Sequence, residues 1–592
     1  MQIVSRLEEL RALMKEKNIS AYIIPSADPH QSEYVAPRWK SREWISGFTG
    51  SAGTVVVTME KAGLWTDGRY FLQAEAQLEG STITLFKMGL PETPGYTDWI
   101  GGELKKGDVV SFDASVMSIN DVNDLKKAFE PKGISVKSSE DLIDKIWKER
   151  PAFPSGKAVL HPVKYAGVGR VEKFDRIRAK MAQLGVDYHL FASLDDLAWI
   201  FNIRGNDVEC NPVVMGFGVI GMESADLFVK EGKFIEEDAA EMENDGVTIH
   251  KYEEIYDFTK GLRGKIFIDR ARTSQSLLDA VDCKNAEVVY GENVSQIMKA
   301  VKNKTEIEGM KMAHVIDGVA MAKFLCWLDK HIGKERITEI SASDKLESFR
   351  RMGRGFVGLS FDTISGYGAH GAIIHYSATP ETDCELKPEG LYLVDSGAQY
   401  LFGTTDITRT VALGELTPNM KRDFTLVLKG HIRIAMAQFP QGFTTGANID
   451  AFAREALWKD GKNYLHGTGH GVGAYLSVHE GPMSISTRRS DTKIEPGMVV
   501  SNEPGYYEPD QYGIRIENLV LSVPKEKTAW GQFIGFENLT MCPIDIRAIE
   551  PSLLTDEEKK YLNDYHKLVF ITVAPYLDSW EKDWLHAMTA AI

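Results

Sequence analysis

The chain has 592 residues, more than one hydrophobic core organises, so two to four domains are expected. Its 43% hydrophobic content excludes a disordered polymer, and 84 acidic against 68 basic residues, a net charge of −16, disfavour nucleic acid as a partner. Five widely spaced cysteines, Cys210, Cys283, Cys326, Cys384 and Cys542, read as reduced thiols of a cytoplasmic protein rather than a disulfide frame. Met1-Gln-Ile-Val-Ser-Arg-Leu-Glu-Glu-Leu10 opens an acid-bearing amphipathic helix, not a signal peptide. No apolar run reaches the ~18 residues that span a bilayer, so a soluble protein without a membrane partner is expected.

That first helix spaces Leu7, Leu10 and Met14 at i, i+3, i+7, and a later one repeats the spacing with Phe174, Ile177 and Met181. Each leads into a strand, Ser20-Ala-Tyr-Ile-Ile24 in one case and Asp187-Tyr-His-Leu-Phe191 in the other. Trp65-Thr-Asp-Gly-Arg-Tyr-Phe71 aligns with Leu227-Phe-Val-Lys-Glu-Gly-Lys-Phe234: a strand, a tight acidic-Gly-basic turn and another strand. Val110-Ser-Phe-Asp113 matches Ile266-Phe-Ile-Asp269, and the helix ending in Ile146-Trp147 matches the one containing Ile297-Met298. Shared elements in one order predict two copies of one α/β domain, over 1–152 and 153–303. Between them, Glu149-Arg-Pro-Ala-Phe-Pro-Ser-Gly156 has the composition of a linker.

Near Asn303 the pattern changes. Thr305-x-x-Glu308 predicts a capping box at the start of a long helix through Ile307, Met310, Ala313 and Ile316, with Met312 and Met321 as core filler. A third domain, 304–592, begins there, in which helices near 305–330 and 419–438 alternate with two acidic hairpins as a pseudo-symmetric pair. Residues 565–592, with Trp580 and Trp584 at helical spacing, read as a packing or dimer helix.

The hairpins carry the chemistry. Asp395 and Asp406 stand equidistant from the middle of an apolar, glycine-containing segment that starts at Leu391, which makes them cross-strand neighbours. Such neighbours have Cβ atoms about 4.5–5.5 Å apart, and like charges there repel. A pair of cations about 3.5–4 Å apart would compensate, the spacing used in two-metal hydrolysis. Glu503 and Glu517 straddle the turn Glu508-Pro-Asp-Gln-Tyr-Gly513 in the same way, although Pro504 interrupts that ladder. One acidic pair in so acidic a chain is more often surface charge; two mirrored pairs around a histidine-glycine loop are harder to dismiss. With His470, four carboxylates and one imidazole favour Mn²⁺-type ions over a structural zinc.

The loop is His466-Gly-Thr-Gly-His470-Gly-Val-Gly473, followed by His479-Glu-Gly-Pro. Its alternating glycines let backbone approach a ligand or metal. The spacing is neither a dinucleotide fingerprint nor a zincin motif, and no P-loop is present. His375, in the strand-like Gly371-Ala-Ile-Ile-His-Tyr-Ser377, joins His466 and His479 as a candidate for proton handling.

From about residue 305 to 545 the chain resembles the pita-bread metallopeptidases: methionine aminopeptidase, prolidase and aminopeptidase P. The resemblance rests on Val394-Asp-Ser-Gly397, Thr405-Asp-Ile-Thr-Arg-Thr410, the His466–Gly473 loop, Ser501-Asn-Glu-Pro-Gly505, Gly513-Ile-Arg-Ile-Glu-Asn518 and Phe536-Glu-Asn-Leu-Thr-Met-Cys-Pro543. At the N-terminus, Ile24-Pro-Ser-Ala-Asp-Pro-His-Gln-Ser-Glu-Tyr34, Ser46-Gly-Phe-Thr-Gly-Ser-Ala-Gly-Thr54 and Trp65–Phe71 extend it to the long, three-domain, cytosolic-type aminopeptidases P. It implies an α/β (α+β) fold of two duplicated creatinase-N-like domains followed by a pita-bread catalytic domain. It also implies two divalent metal ions per subunit, with Mn²⁺ the expected ion and Co²⁺ or Zn²⁺ open, and a homodimer. Asp406 and Glu517 would bridge the metals, Asp395 would hold one, and His470 with Glu503 the other. A water shared by the metals would be the nucleophile, with Glu503 as general base. His375 and His479 would steady the tetrahedral intermediate and leaving nitrogen, His466 the proline pocket, and Arg69 the substrate. The implied reaction removes an N-terminal residue ahead of a penultimate proline. The alternatives are a prolidase acting on Xaa-Pro dipeptides, a metal-free creatinase-like hydrolase, and a non-catalytic peptide-binding relative.

Overall fold

The computed structural model describes residues 2–592. The chain divides into two compact units. One runs to Val163 and from Val168 to Gln296; the other holds Lys164–Gly167 and Ile297–Ile592.

The first unit contains one sheet twice. The first copy is ordered Thr84–Lys87, Ala62–Thr66, Thr54–Thr58, Ala21–Pro25, Val109–Asp113, Ser135–Ser139. The second is ordered Val247–Lys251, Ala225–Val229, Gly216–Gly221, Tyr188–Phe191, Gly264–Ile268, Ala286–Tyr290. In each order the second, third and fourth strands pair antiparallel with one another and the other three pairs are parallel, so the pairing pattern repeats as well. The leading helices, Gln2–Glu16 and Arg170–Leu184, bury the expected triplets Leu7, Leu10, Met14 and Phe174, Ile177, Met181. Burying one such side chain contributes about 1.5–3 kcal/mol, which anchors each helix to its sheet. The acidic-Gly-basic turns are present, but helices Phe71–Gln77 and Glu236–Asn244 follow them, not strands. Leu72-Gln-Ala-Glu-Ala-Gln77 is a run of strong helix formers, and propensity decides there. Ser118 and Ser274, the N-cap residues of matching helices in the two copies, face each other in an antiparallel bridge. Buried His30 adds a tie, with Nδ1 2.9 Å from the Ala192 carbonyl and Nε2 2.9 Å from the Tyr252 hydroxyl.

In the second unit the helix Lys304–His331 is capped by Asn303, not Thr305. Asn303 Oδ1 accepts from the amides of Thr305 and Glu306, and Glu306 Oε2 accepts from Asn303 N at 2.9 Å. The box sits two residues earlier than expected because Asn and Glu are spaced for it as well as Thr305 and Glu308. Met321 is core, whereas Met312 is 47% exposed. Two packed helices, Lys304–His331 and Glu339–Arg350, precede the antiparallel strands Ile364–Tyr367, Leu391–Ser396 and Ile407–Ala412. Pro418–Ala435 and Gly446–Lys459 likewise precede Val499–Asn502, Asn518–Thr528 and Gly531–Asn538, part of a six-stranded sheet. The repetition matches the pseudo-symmetric pair read from the sequence. The last helix, Ser579–Met588, packs inside this unit: Trp584 Nε1 donates to Asp329 Oδ2 at 2.7 Å, while Trp580 remains 41% exposed. No helix among the described residues is long and apolar enough to cross a membrane.

Three expectations about the hairpins and the His375 segment change. The chain reverses at Leu401-Phe402, between paired Tyr400 and Gly403, so Asp395 faces Thr408 rather than Asp406. The sequence midpoint lies one residue earlier, which displaces the partner by two; Asp406 is diagonal to Asp395. The middle of the segment, Ala398–Tyr400 and Gly403–Thr404, joins a different sheet with Phe356–Leu359. The second hairpin keeps its symmetry: Asn502 pairs with Asn518 and Gly505 with Arg515, so Glu503 and Glu517 fall on one line of partners. Pro504 lacks a donor, yet Ile516 N still donates to its carbonyl at 3.3 Å. His375 lies in irregular chain after the 3₁₀ turn Gly368–Ala372, not in a strand. A Cβ on Gly513 would sit 1.6 Å from Gly371 O, so direct backbone contact replaces strand pairing there.

Candidate active site

The two hairpins meet at their acids. Glu517 N donates to Thr408 O at 3.1 Å, and Thr408 Oγ1 donates to Glu517 Oε2 at 2.8 Å. Strand alternation turns Thr408 and Asp395 to one face, so the same face receives Glu517. Asp406, His470 and Glu517 bring ligand atoms within 4.8 Å of one another. His470 Nε2 lies 3.5 Å from Asp406 Oδ2 and 3.3 Å from Glu503 Oε1. Its Nδ1 sits 2.9 Å from the Gly471 carbonyl, which leaves Nε2 to the carboxylates. Ser501 Oγ donates to Glu503 Oε1 at 3.0 Å.

Asp395 joins through Arg515, an almost fully buried guanidinium. Arg515 donates to Asp395 Oδ2 at 2.6 Å, Thr408 Oγ1 at 3.1 Å and Tyr507 OH at 2.7 Å. Sequence reasoning passed over Arg515, Tyr507 and Thr408 as site residues. A signal existed: Arg515 lies two residues before Glu517, so period-two alternation turns both to one face.

The charges are crowded. Burial, then Asp406, Glu503 and Asp395, push the Glu517 carboxyl well above its ordinary value. Burial raises Asp395 to about 6, with Arg515 opposing and Asp406 adding. Burial works against charge on His470, but Asp406 and Glu503 more than offset it and lift the imidazole to about 9. Without cations, protons supply the missing positive charge. Asp395 Oδ1 and Glu517 Oε1 are buried and have no hydrogen-bond partner. Such oxygens are costly unless something binds them. Divalent cations fit this donor set of four carboxylates and one imidazole, and would occupy the orphan oxygens while displacing the protons.

The candidate histidines take different places. His479 meets His470 edge to face, ring centroids 4.2 Å apart. His466 Nε2 lies 2.8 Å from Tyr507 OH, and through Tyr507 it connects to Arg515. His375 is half-buried and follows Ile374, whose carbonyl accepts from Arg515 at 3.4 Å. Arg69 donates to Asp67 of its own turn from Nε at 2.9 Å and from NH2 at 2.8 Å. Two of the loop glycines admit neighbouring backbone: a Cβ on Gly469 would lie 1.9 Å from Ser501 O, and one on Gly471 2.3 Å from Glu480 O.

Residues 308–523 match the model of metallopeptidase family M24, and 532–592 match the C-terminal region of its peptidases. The creatinase/prolidase N-terminal domain matches twice, over 6–146 and 149–306, in agreement with the duplicated sheet. A probable Xaa-Pro aminopeptidase P of Paracoccidioides brasiliensis is 42% identical over 99% of both chains. The chain belongs to metallopeptidase family M24. Another M24 relative, a probable Xaa-Pro aminopeptidase P of Ajellomyces capsulatus, is 43% identical, again with 99% of each chain covered. Among solved structures, X-prolyl aminopeptidase of Caenorhabditis elegans, a cytosolic enzyme with a di-nuclear active site, superposes at a TM-score of 0.96. It is 35% identical, with 100% of each chain covered. The Xaa-Pro dipeptidase of Bacillus anthracis, 26% identical at a TM-score of 0.51, covers 64% of this chain and 99% of its own. This M24 chain is a metal-dependent peptidase, and the carboxylate-imidazole cluster lies inside the matched 308–523 region.

Proposed function

We propose that Asp395, Asp406, His470, Glu503 and Glu517 hold two divalent cations, with Mn²⁺ the resident ion. The chain is a metalloaminopeptidase that cleaves between an N-terminal residue and a penultimate proline. The observation that carries the site assignment is the convergence of Asp406, His470 and Glu517 beside two orphaned carboxylate oxygens. Divalent cations supply Lewis acidity and a water of lowered pKa. The chain's own residues do the rest. Glu503, 3.3 Å from His470 and held by Ser501, accepts a proton from the attacking water and returns it toward the departing nitrogen. Protonation matters because the leaving group is the secondary amine of proline, expelled from a tertiary amide. His375 and His479 stabilise the charge that develops on the scissile group. His466, oriented by Tyr507, forms a wall of the proline pocket. Arg69 is assigned to substrate binding on resemblance alone, since Asp67 holds its guanidinium.

We also assign domains 1–152, 153–303 and 304–592 and, on resemblance alone, a homodimer; a cytoplasmic location is assigned in line with the cytosolic relative. The chain's length supports an aminopeptidase over a prolidase: the dipeptidase matches only 64% of it, the aminopeptidases P 99%. Purified protein supplied with Mn²⁺ should cleave Arg-Pro-Pro and leave Arg-Pro intact. Hydrolysis of Arg-Pro alone would make it a prolidase. Two bound metal equivalents without turnover of either peptide would make it a peptide-binding relative.

A further inference from the structure

A second group of donors, unused by the peptidase site, meets where the chain leaves the Ile364–Tyr367 strand. Glu339, in the first turn of Glu339–Arg350, is fully buried; His370 and Cys384 are half-buried. Their donor atoms lie within 4.8 Å of one another. His370 Nδ1 is 2.9 and 3.0 Å from the two Glu339 oxygens and 3.7 Å from Cys384 Sγ. Backbone fixes the arrangement. Glu339 N donates to Cys384 O at 3.1 Å, Leu386 N to Ile337 O at 2.8 Å, and Tyr367 N to Glu339 Oε1 at 2.8 Å. Glu339 has no lysine or arginine partner among the described residues, and His370 is its one ion-pair partner there. Its oxygens also accept from Tyr376 OH at 2.9 Å and Cys384 N at 3.4 Å, so the carboxylate is held in a fixed orientation toward His370 and Cys384. Tyr367 is three rungs along the strand from Ile364, the partner of Asp395, or about 10 Å at 3.3 Å per residue, so this is a different place from the peptidase centre.

We propose that Glu339, His370 and Cys384 form a binding site for one divalent cation of the zinc class, separate from the carboxylate-rich centre. Thiolate, imidazole and carboxylate together are zinc donors, and the thiolate disfavours hard ions such as Mg²⁺ and Mn²⁺. With metal–ligand distances of about 2.3 Å to sulfur and 2.0–2.1 Å to nitrogen and oxygen, a tetrahedron has S–N edges of about 3.6 Å and N–O edges of about 3.3 Å. The Sγ–Nδ1 separation already matches; the His370–Glu339 pair opens by about 0.4 Å. The cation takes the place of the proton between His370 Nδ1 and Glu339, which moves through solvent to Nε2 of the same neutral imidazole; the Cys384 thiol gives its proton to solvent, and solvent fills the fourth position. Tyr376 OH, 2.9 Å from Glu339 Oε2, keeps the carboxylate oriented. Since His370 and Cys384 flank His375, the cation clamps both ends of that segment to the start of one helix.

Cobalt reports on this site alone, because a thiolate-to-Co²⁺ charge-transfer band requires sulfur and the carboxylate centre has none. Co²⁺ titrated into the reduced, metal-stripped full chain should raise that band to saturation within three equivalents, two of them taken by the carboxylate centre without contributing to it, and Zn²⁺ should abolish it. Cys384→Ser should lack the band, and His370→Asn should bind Co²⁺ at least about tenfold more weakly. Asp406→Asn should keep the band unchanged, so failure of the peptidase assignment would leave this result standing. A band of full intensity in Cys384→Ser, or none in wild type at millimolar Co²⁺, would overturn the proposal.

Discussion

Asp406 and Glu503 separate two duties that a carboxylate can have in such a cluster. Asp406 lies within reach of both His470 and Glu517, so its charge is part of what makes cation binding favourable. Asp406→Asn should abolish turnover while leaving the metal-free fold at least as stable, because one of several repelling charges is gone. The check is thermal unfolding with and without chelator: wild type should lose stability on chelation, and the variant should hardly respond. Wild-type turnover in Asp406→Asn would end the ligand assignment. Glu503, held by Ser501 and less buried, keeps a lone pair for proton transfer. Glu503→Gln should retain some metal yet lose roughly two to four decades in kcat on an Xaa-Pro-Xaa peptide, the range for a removed general base. All five proposed ligands could be named from residue type and order, two acidic pairs around a histidine-glycine loop, although Asp395 faces Thr408 and not Asp406. Alternation could have placed Arg515 on the face of Glu517, but not its role, because a lone arginine two residues from an acid has no chemistry of its own until the fold brings Asp395, Thr408 and Tyr507 to it.

At the scale of elements, the sequence was most legible where periodicity ran long and least where one residue decides. The two leading helices and the repeated sheet order follow from spacing that recurs over many residues. Caps and registers depend on single positions. Thr305 with Glu308 and Asn303 with Glu306 both fit the capping pattern, and only the second forms, with Asn303 Nδ2 also donating to Ala166 O at 2.8 Å. Asn303→Ala should therefore cost about 1 kcal/mol or somewhat more, and Thr305→Ala should stay within about 0.5 kcal/mol. Denaturant midpoints of the two variants decide between the caps; a larger loss in Thr305→Ala than in Asn303→Ala would mean that Thr305 caps the helix. The Asp395 register was misjudged for a related reason. Composition locates a reversal only to within a residue or so, and each residue of error moves the cross-strand partner by two. Pro504 looked like the weaker point, but its hairpin is held from both sides, by Asn502–Asn518 and Gly505–Arg515.

Over the whole molecule, acid should unfold this protein through its histidines as well as through its carboxylates. Burial holds His161 at about 2, His189 and His431 at about 3, and His566 at about 4. In the unfolded chain each imidazole titrates near 6.5. Below that value the unfolded chain takes up protons that the folded chain refuses, so stability is complete above pH 6.5 and is lost as pH falls toward the folded values. Each such imidazole costs roughly 1 kcal/mol by one pH unit below 6.5. Asp113 works in the opposite direction, since burial raises its carboxyl to about 6 and the folded chain gains its proton first. The carboxylates of the peptidase centre also oppose the trend when no metal is bound, so one histidine must be isolated by difference. His189 suits this: it is fully buried, stacked on Phe191 at 3.8 Å and edge-on to Phe267 at 4.8 Å, and its Nε2 accepts a long hydrogen bond from Val294 N at 3.4 Å. His189→Phe preserves the ring and removes the titration. Its stability should fall less steeply than wild type between pH 6.5 and 4, by about one proton in the slope, so the two curves converge or cross on acidification. Parallel curves over that interval would show that His189 takes up its proton in the folded state, against the burial that the fold imposes on it.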